Sequence, residues 1–169
     1  MQKIRLYSSK AFFALFAALS VALCIFIFCM SNEPAPVSAD RSGSIADVIA
    51  PIFIKDFDSA SESDKLLILS EIDHIIRKIA HFCMYATLGA LFVLTSLFYE
   101  LKWTFHFVVP WIFGTLYAAS DEIHQAFVPG RGPLVSDVLL DSVGVLFGIL
   151  IILAFTRFLT VMRKVDNNE

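Results

Sequence analysis

Four apolar runs, each about 20 residues long, dictate what this chain can fold into. A helix crossing the hydrocarbon core of a bilayer needs roughly 20 mainly apolar residues, and residues 11–30, 79–99, 103–127 and 138–158 each supply such a run. The chain has 169 residues, so little is left for a separate soluble domain. A charged share of only 17% and a mean hydropathy of +0.73 exclude an ordinary soluble globule. The expected fold is an all-α membrane protein built as a bundle of four transmembrane helices.

Lys3, Arg5 and Lys10 precede the first run as they would in a secretory signal. No small-x-small cleavage site closes that run and it is too long, so it is expected to remain as a helix. Basic residues favour the cytoplasmic side of short loops. Lys3, Arg5 and Lys10 lie before the first span, Lys102 between the second and third, and Arg157, Arg163 and Lys164 at the end of the fourth. That alternation predicts both termini inside, with residues 1–10 as a cytoplasmic N-terminus and 159–169 as a cytoplasmic tail. Residues 31–78 and the turn 128–136 then share the outer face.

The outer segment opens with "SNEPAPVSADRSGS", whose Pro, Ser and Gly content predicts a loop. Ile45, Val48, Ile49 and Ile52 then recur at helical spacing, with Ser44 and Asp47 as candidate caps. From Lys65 a second apolar stripe, Ile68, Leu69, Ile72, Ile75, Ile76 and Ile79, runs into the second span. Amphipathic helices lying in the membrane interface, or equally lids packing on the bundle, are the expectation for this segment.

The polar residues are not scattered. In "SDEIHQAFVPGRGPLVSDVLLD", Asp121, His124 and Gln125 share a helix face with Tyr117 just before it, and Glu122 lies about 100° away. Arg77, His81, Tyr85 and Gly89 repeat every fourth residue on the second span, beside Lys78. Asp137, Asp141, Gly144 and Gly148 line one face of the fourth, where Gly144-x-x-x-Gly148 permits close helix approach, as Ala118, Ala119 and Ser120 do on the third. Each stripe carries its polar groups at the outer end of its span. Ionisable groups cost a few kcal/mol at membrane depth, so they face a bundle interior or a wet cavity and mark function.

In the "VPGRGP" turn, Pro129, Gly130, Gly132 and Pro133 set the geometry, and Ser136 or Asp137 is expected to cap the fourth span. Arg131 is left as the residue suited to a ligand, because its planar fork matches phosphate or carboxylate. Cys24, Cys29 and Cys83 lie inside apolar runs without paired spacing and read as buried structural thiols. A net charge of −3 with dispersed basic residues excludes a nucleic-acid partner.

Three blocks, "RKIAHFCMYATLGAL", "ASDEIHQAFVPGR" and "SDVLLDSVGVLFG", resemble the VanZ-like membrane proteins in order and spacing across residues 77–148. The resemblance makes residues 79–158 the family core and implies a bacterial cytoplasmic membrane protein of the cell envelope. The family is named for a protein linked to low-level teicoplanin resistance, and the resemblance supplies no reaction. It carries over Lys78, His81, Tyr85, Asp121, Glu122, Gln125, Pro129, Gly130, Arg131, Asp137 and Gly144 as motif residues. At Asp141 the family pattern often has Asn, so this chain brings an extra carboxylate.

Three functions fit these residues. The first is binding or modification of an anionic lipid-linked wall intermediate or lipid headgroup at the outer leaflet. Arg77, Lys78 and Arg131 would hold phosphate, Tyr85 and Gln125 would orient it, and His81, Asp121, Glu122 and Asp137 would complete the site. The second is a membrane-embedded hydrolase or transferase. Glu122, His81 or Asp121 would serve as the catalytic group, and Asp121, His124, Asp137 and Asp141 would supply ligands for a divalent metal. The third is a structural or partner scaffold in which the polar cluster is an ion-pair network.

Overall fold

A computed structural model describes residues 10–166, giving only the backbone at 35–37 and 39–41. Lys3 and Arg5, which carry part of the topology argument, lie outside the described residues. Five α-helices account for most of the described chain: α1 (Lys10–Ser31), α2 (Ala35–Phe53), α3 (Glu62–Ser96), α4 (Phe105–Gln125) and α5 (Val135–Asp166). A short 3₁₀ turn, Phe57–Ser59, links α2 to α3. No strand occurs among the described residues.

α1, α3 and α5 are long and apolar enough to cross a membrane. α4 is not among them, although its 21 residues would reach about 31 Å. Its final turns carry Asp121, Glu122, His124 and Gln125, which dilute an otherwise apolar helix.

Two local expectations are corrected. The Pro-, Ser- and Gly-rich stretch after Ser31 is not a loop, because α2 begins at Ala35, ten residues before Ile45. Pro34 and Pro36 sit at its start, where a missing N–H costs nothing and a fixed φ favours the first turn. Ser44 and Asp47 therefore lie inside the helix and do not cap it. Neither do Ser136 and Asp137 cap α5, which starts one residue earlier. The Leu134 N–H ahead of that helix is taken instead by Glu122 of α4, at 2.6 Å.

The buried face of α2 is its row of small residues, Ser42, Ala46 and Ala50, while Val48 and Ile52 point outward. α3 is one continuous helix of 35 residues. Ser61 caps it by accepting the Asp64 N–H at 3.2 Å, and Glu62 and Asp64 place negative charge in the first turn.

α3 and α5 run parallel and in close contact, since Lys78 meets Asp137 and His81 meets Asp141. Further along, Phe82 faces Gly144 and Ala86 faces Gly148. A Cβ on Gly144 would sit 2.7 Å from the Phe82 carbonyl oxygen, and one on Gly148 would collide with the Ala86 carbonyl. α1 and α4 run the other way: the Tyr117 hydroxyl donates to the Cys24 carbonyl at 2.6 Å, and Ser31 meets Asp121. On α4 the close approach is made by Gly114 and Ala118, while Ser120 is exposed. Ile27, Tyr85, Leu88, Val93, Val145 and Ile149 fill the core between the helices. This alternation brings the end of α1, the end of α4, the start of α5 and the middle of α3 to one level.

Candidate functional site

At that level a cavity of about 420 Å³ opens between α1, α2, α3, the α4–α5 turn and the start of α5. Its polar lining includes Arg77, Lys78 and His81 from α3, Glu122 and Gln125 from α4, Arg131 from the turn, and Asp137 and Asp141 from α5. Phe26, Met30, Ile45, Met84 and Leu140 give it an apolar wall. Ser38 and Ser42 of α2 also reach it.

Each charged group has a distinct setting. Lys78 donates from Nζ to Asp137 Oδ1 at 3.0 Å. Arg77 Nη2 lies 3.0 Å from Asp73 Oδ2, one helical turn back on the same helix. His81 Nδ1 lies 3.6 Å from Asp141 Oδ2. Glu122 points its Oε1 at the Leu134 N–H and so ties α4 to the beginning of α5.

Arg131 is set by the turn. Its N–H donates to the Val128 carbonyl at 3.1 Å, closing a four-residue turn with Pro129 second and Gly130 third. Gly130 has φ 77°, the left-handed conformation that favours glycine at that position. Among the described residues its side chain hydrogen-bonds only the Met30 carbonyl, at 3.4 Å, and no carboxylate lies within ion-pair distance of it. Burial pushes the guanidinium below its ordinary pKa, and Arg77 adds to this while Asp121, Glu33 and Glu122 oppose it. A half-buried cation beside another cation, with most of its five donors unspent, is poised for an anion.

Three expected site residues sit behind the cavity and not on its lining. Tyr85 is fully buried, its hydroxyl close to the Asp121 carboxylate but outside hydrogen-bond geometry. Asp121 is buried too, with Oδ2 accepting from Ser31 Oγ at 2.8 Å and from Gln125 Nε2 at 3.2 Å, and Oδ1 unpartnered. His124 stacks on Phe28 with ring centroids 4.4 Å apart.

The four metal candidates are thus divided among different partners: Asp137 to Lys78, Asp141 to His81, Asp121 to Ser31, and His124 to Phe28. Among the described residues no group of three or more His, Cys, Asp or Glu is placed to hold a metal ion. The donor set does not fit a divalent metal centre. Of the catalytic candidates, Glu122 and His81 line the cavity and Asp121 does not.

Sequence reasoning missed Ser31 and Asp73, and also Glu33 and His74, which line the cavity. Asp73 was recoverable from its i,i+4 spacing to Arg77. Ser31 ends an apolar run like any helix terminator, and only the fold brings it to Asp121, 90 positions away.

The family model described as VanZ/LLP1 matches residues 16–157. The match takes in α1 and α2 as well as the helices that hold the three motif blocks, so the whole cavity lies within it. No curated protein and no solved structure matches the chain. With the match extending over most of its length, the chain belongs to the VanZ/LLP1 family.

Proposed function

We propose that this protein crosses the bacterial cytoplasmic membrane four times with both termini inside, and binds the phosphate of a lipid headgroup or lipid-linked wall intermediate at the outer leaflet. The observation that carries this is Arg131: a half-buried guanidinium facing a cavity that also has an apolar wall, with no carboxylate partner among the described residues. With carboxylates near it but none in ion-pair contact among the described residues, the guanidinium is only partly compensated, and an anion would complete it. A ligand with a charged head and a greasy tail meets both halves of the lining. Four crossings fit the alternating helix directions, and a bearing on teicoplanin tolerance is part of this proposal, implied by the family resemblance alone.

Arg131→Lys tests the role. Pro129 and Gly130 hold the turn, so the variant keeps its unfolding midpoint while a two-pronged donor becomes a point charge. Retention of lipid phosphates by purified protein falls, and so does any teicoplanin tolerance that the wild type confers on a susceptible host. Unchanged retention sinks the proposal and favours an ion-pair scaffold. A second reading has one observation behind it: the His81–Asp141 pair lines the cavity and suits metal-free general-base chemistry. Turnover of bound lipid, lost in His81→Gln with binding kept, separates it from simple binding.

A further inference from the structure

The cavity lining carries charges of both signs. Arg77, Lys78 and Arg131 share it with Glu33, Glu122, Asp137 and Asp141. Several are already engaged: Arg77 with Asp73, Lys78 with Asp137, and one oxygen of Asp141 with His81. Glu33 also has a partner.

Two groups keep unmet demands. Among the described residues, Arg131 spends one donor, on the Met30 carbonyl. Asp141 is 3% exposed, lines the cavity, and its Oδ1 has no hydrogen-bond partner. One group calls for acceptors and the other for donors. A plain anion would satisfy the first and would meet four carboxylates around the rest of the space.

We infer that the ligand is zwitterionic: a lipid whose headgroup carries both a phosphate and a primary ammonium. The phosphate goes to Arg131, and the ammonium goes to the Asp141 side of the cavity, where Glu122 offers a second acceptor. The inference rests on the phosphate-binding reading above and adds the amine to it. A primary ammonium is favoured over a quaternary one because the lining offers carboxylate acceptors and, among its described residues, a single Phe, Tyr or Trp ring, Phe26. Quaternary groups are held by aromatic cages. The apolar wall assigns the tail, so an ethanolamine phospholipid has the required chemistry.

The test is native mass spectrometry on the full chain in nanodiscs of equal phosphatidylethanolamine, phosphatidylcholine and phosphatidylglycerol. The expected result is retention of the ethanolamine lipid over both others by at least about tenfold, as one charged hydrogen bond allows. In Asp141→Asn the preference over phosphatidylglycerol disappears, while phosphatidylglycerol itself is still held. Should that buried substitution unfold the protein, the wild-type ranking alone decides.

Phosphatidylglycerol bound as well as phosphatidylethanolamine overturns the zwitterion and leaves phosphate binding standing. Phosphatidylcholine bound equally overturns the primary amine. If none of the three is retained, phosphate binding itself fails. Soluble glycerophosphoethanolamine should compete at least about a hundredfold more weakly than the lipid. Competition at parity overturns the assignment of the tail.

Discussion

Gly144→Ala probes the link between helix packing and the cavity most sharply. An added Cβ would lie 2.7 Å from the Phe82 carbonyl oxygen, whereas ordinary contact begins at 3.4 Å. The obstacle is backbone, so α3 and α5 must separate locally by about 0.7 Å to restore normal contact. Overpacking of this kind costs about 1–3 kcal/mol. Asp141 lies one turn away on α5, 3.6 Å from His81. The same displacement would take that pair past 4 Å and loosen the cavity floor.

The assay is thermal unfolding in nanodiscs, together with lipid retention, for Gly144→Ala beside Gly43→Ala. A Cβ at Gly43 meets nothing within 4 Å, and Gly43 lies in α2, so the control should be neutral or up to about 1 kcal/mol stabilising. Equal midpoints for Gly144→Ala and wild type, with lipid retention unchanged, would refute the claim that α3 and α5 touch at backbone distance there.

Ser31→Ala removes a 2.8 Å donor from buried Asp121 and should destabilise by about 1–3 kcal/mol, measured as a lower unfolding midpoint. A double-mutant cycle on Lys78 and Asp137, both roughly one-third exposed, should give a coupling of only about 0.2–1 kcal/mol, because solvent screens the pair. For the topology, a cysteine at Ser38 or Gly132 should react with an impermeant thiol reagent in intact cells once Cys24, Cys29 and Cys83 are replaced. Labelling only after permeabilisation would move the cavity to the inner leaflet.

The sequence displayed the helices and the level at which their polar groups meet, because apolar run length and i,i+4 spacing are local properties. Gly144 and Gly148 were legible for the same reason. What it could not display is which face meets which neighbour. Tyr85 belongs to the same stripe as Arg77 and His81, yet it points into the core while they line the cavity. His124 shares a face with Asp121 and stacks instead on Phe28 of α1. The start of α2 was hidden because prolines that signal a loop also favour a helix's first turn, and only the residues C-terminal to them separate the two uses. Ser31 was hidden because its partner comes from 90 residues away.

The central claim is that a phosphate-bearing lipid occupies the cavity, and photocrosslinking with a phospholipid probe, reactive close to its phosphate, tests it directly. The account predicts adducts on α3 between residues 76 and 84 and on the turn at 130–132, lost in Arg131→Lys. Adducts confined to outward-facing residues such as Val21 and Ile25 of α1 or Phe155 and Phe158 of α5, the same with and without Arg131, would contradict it.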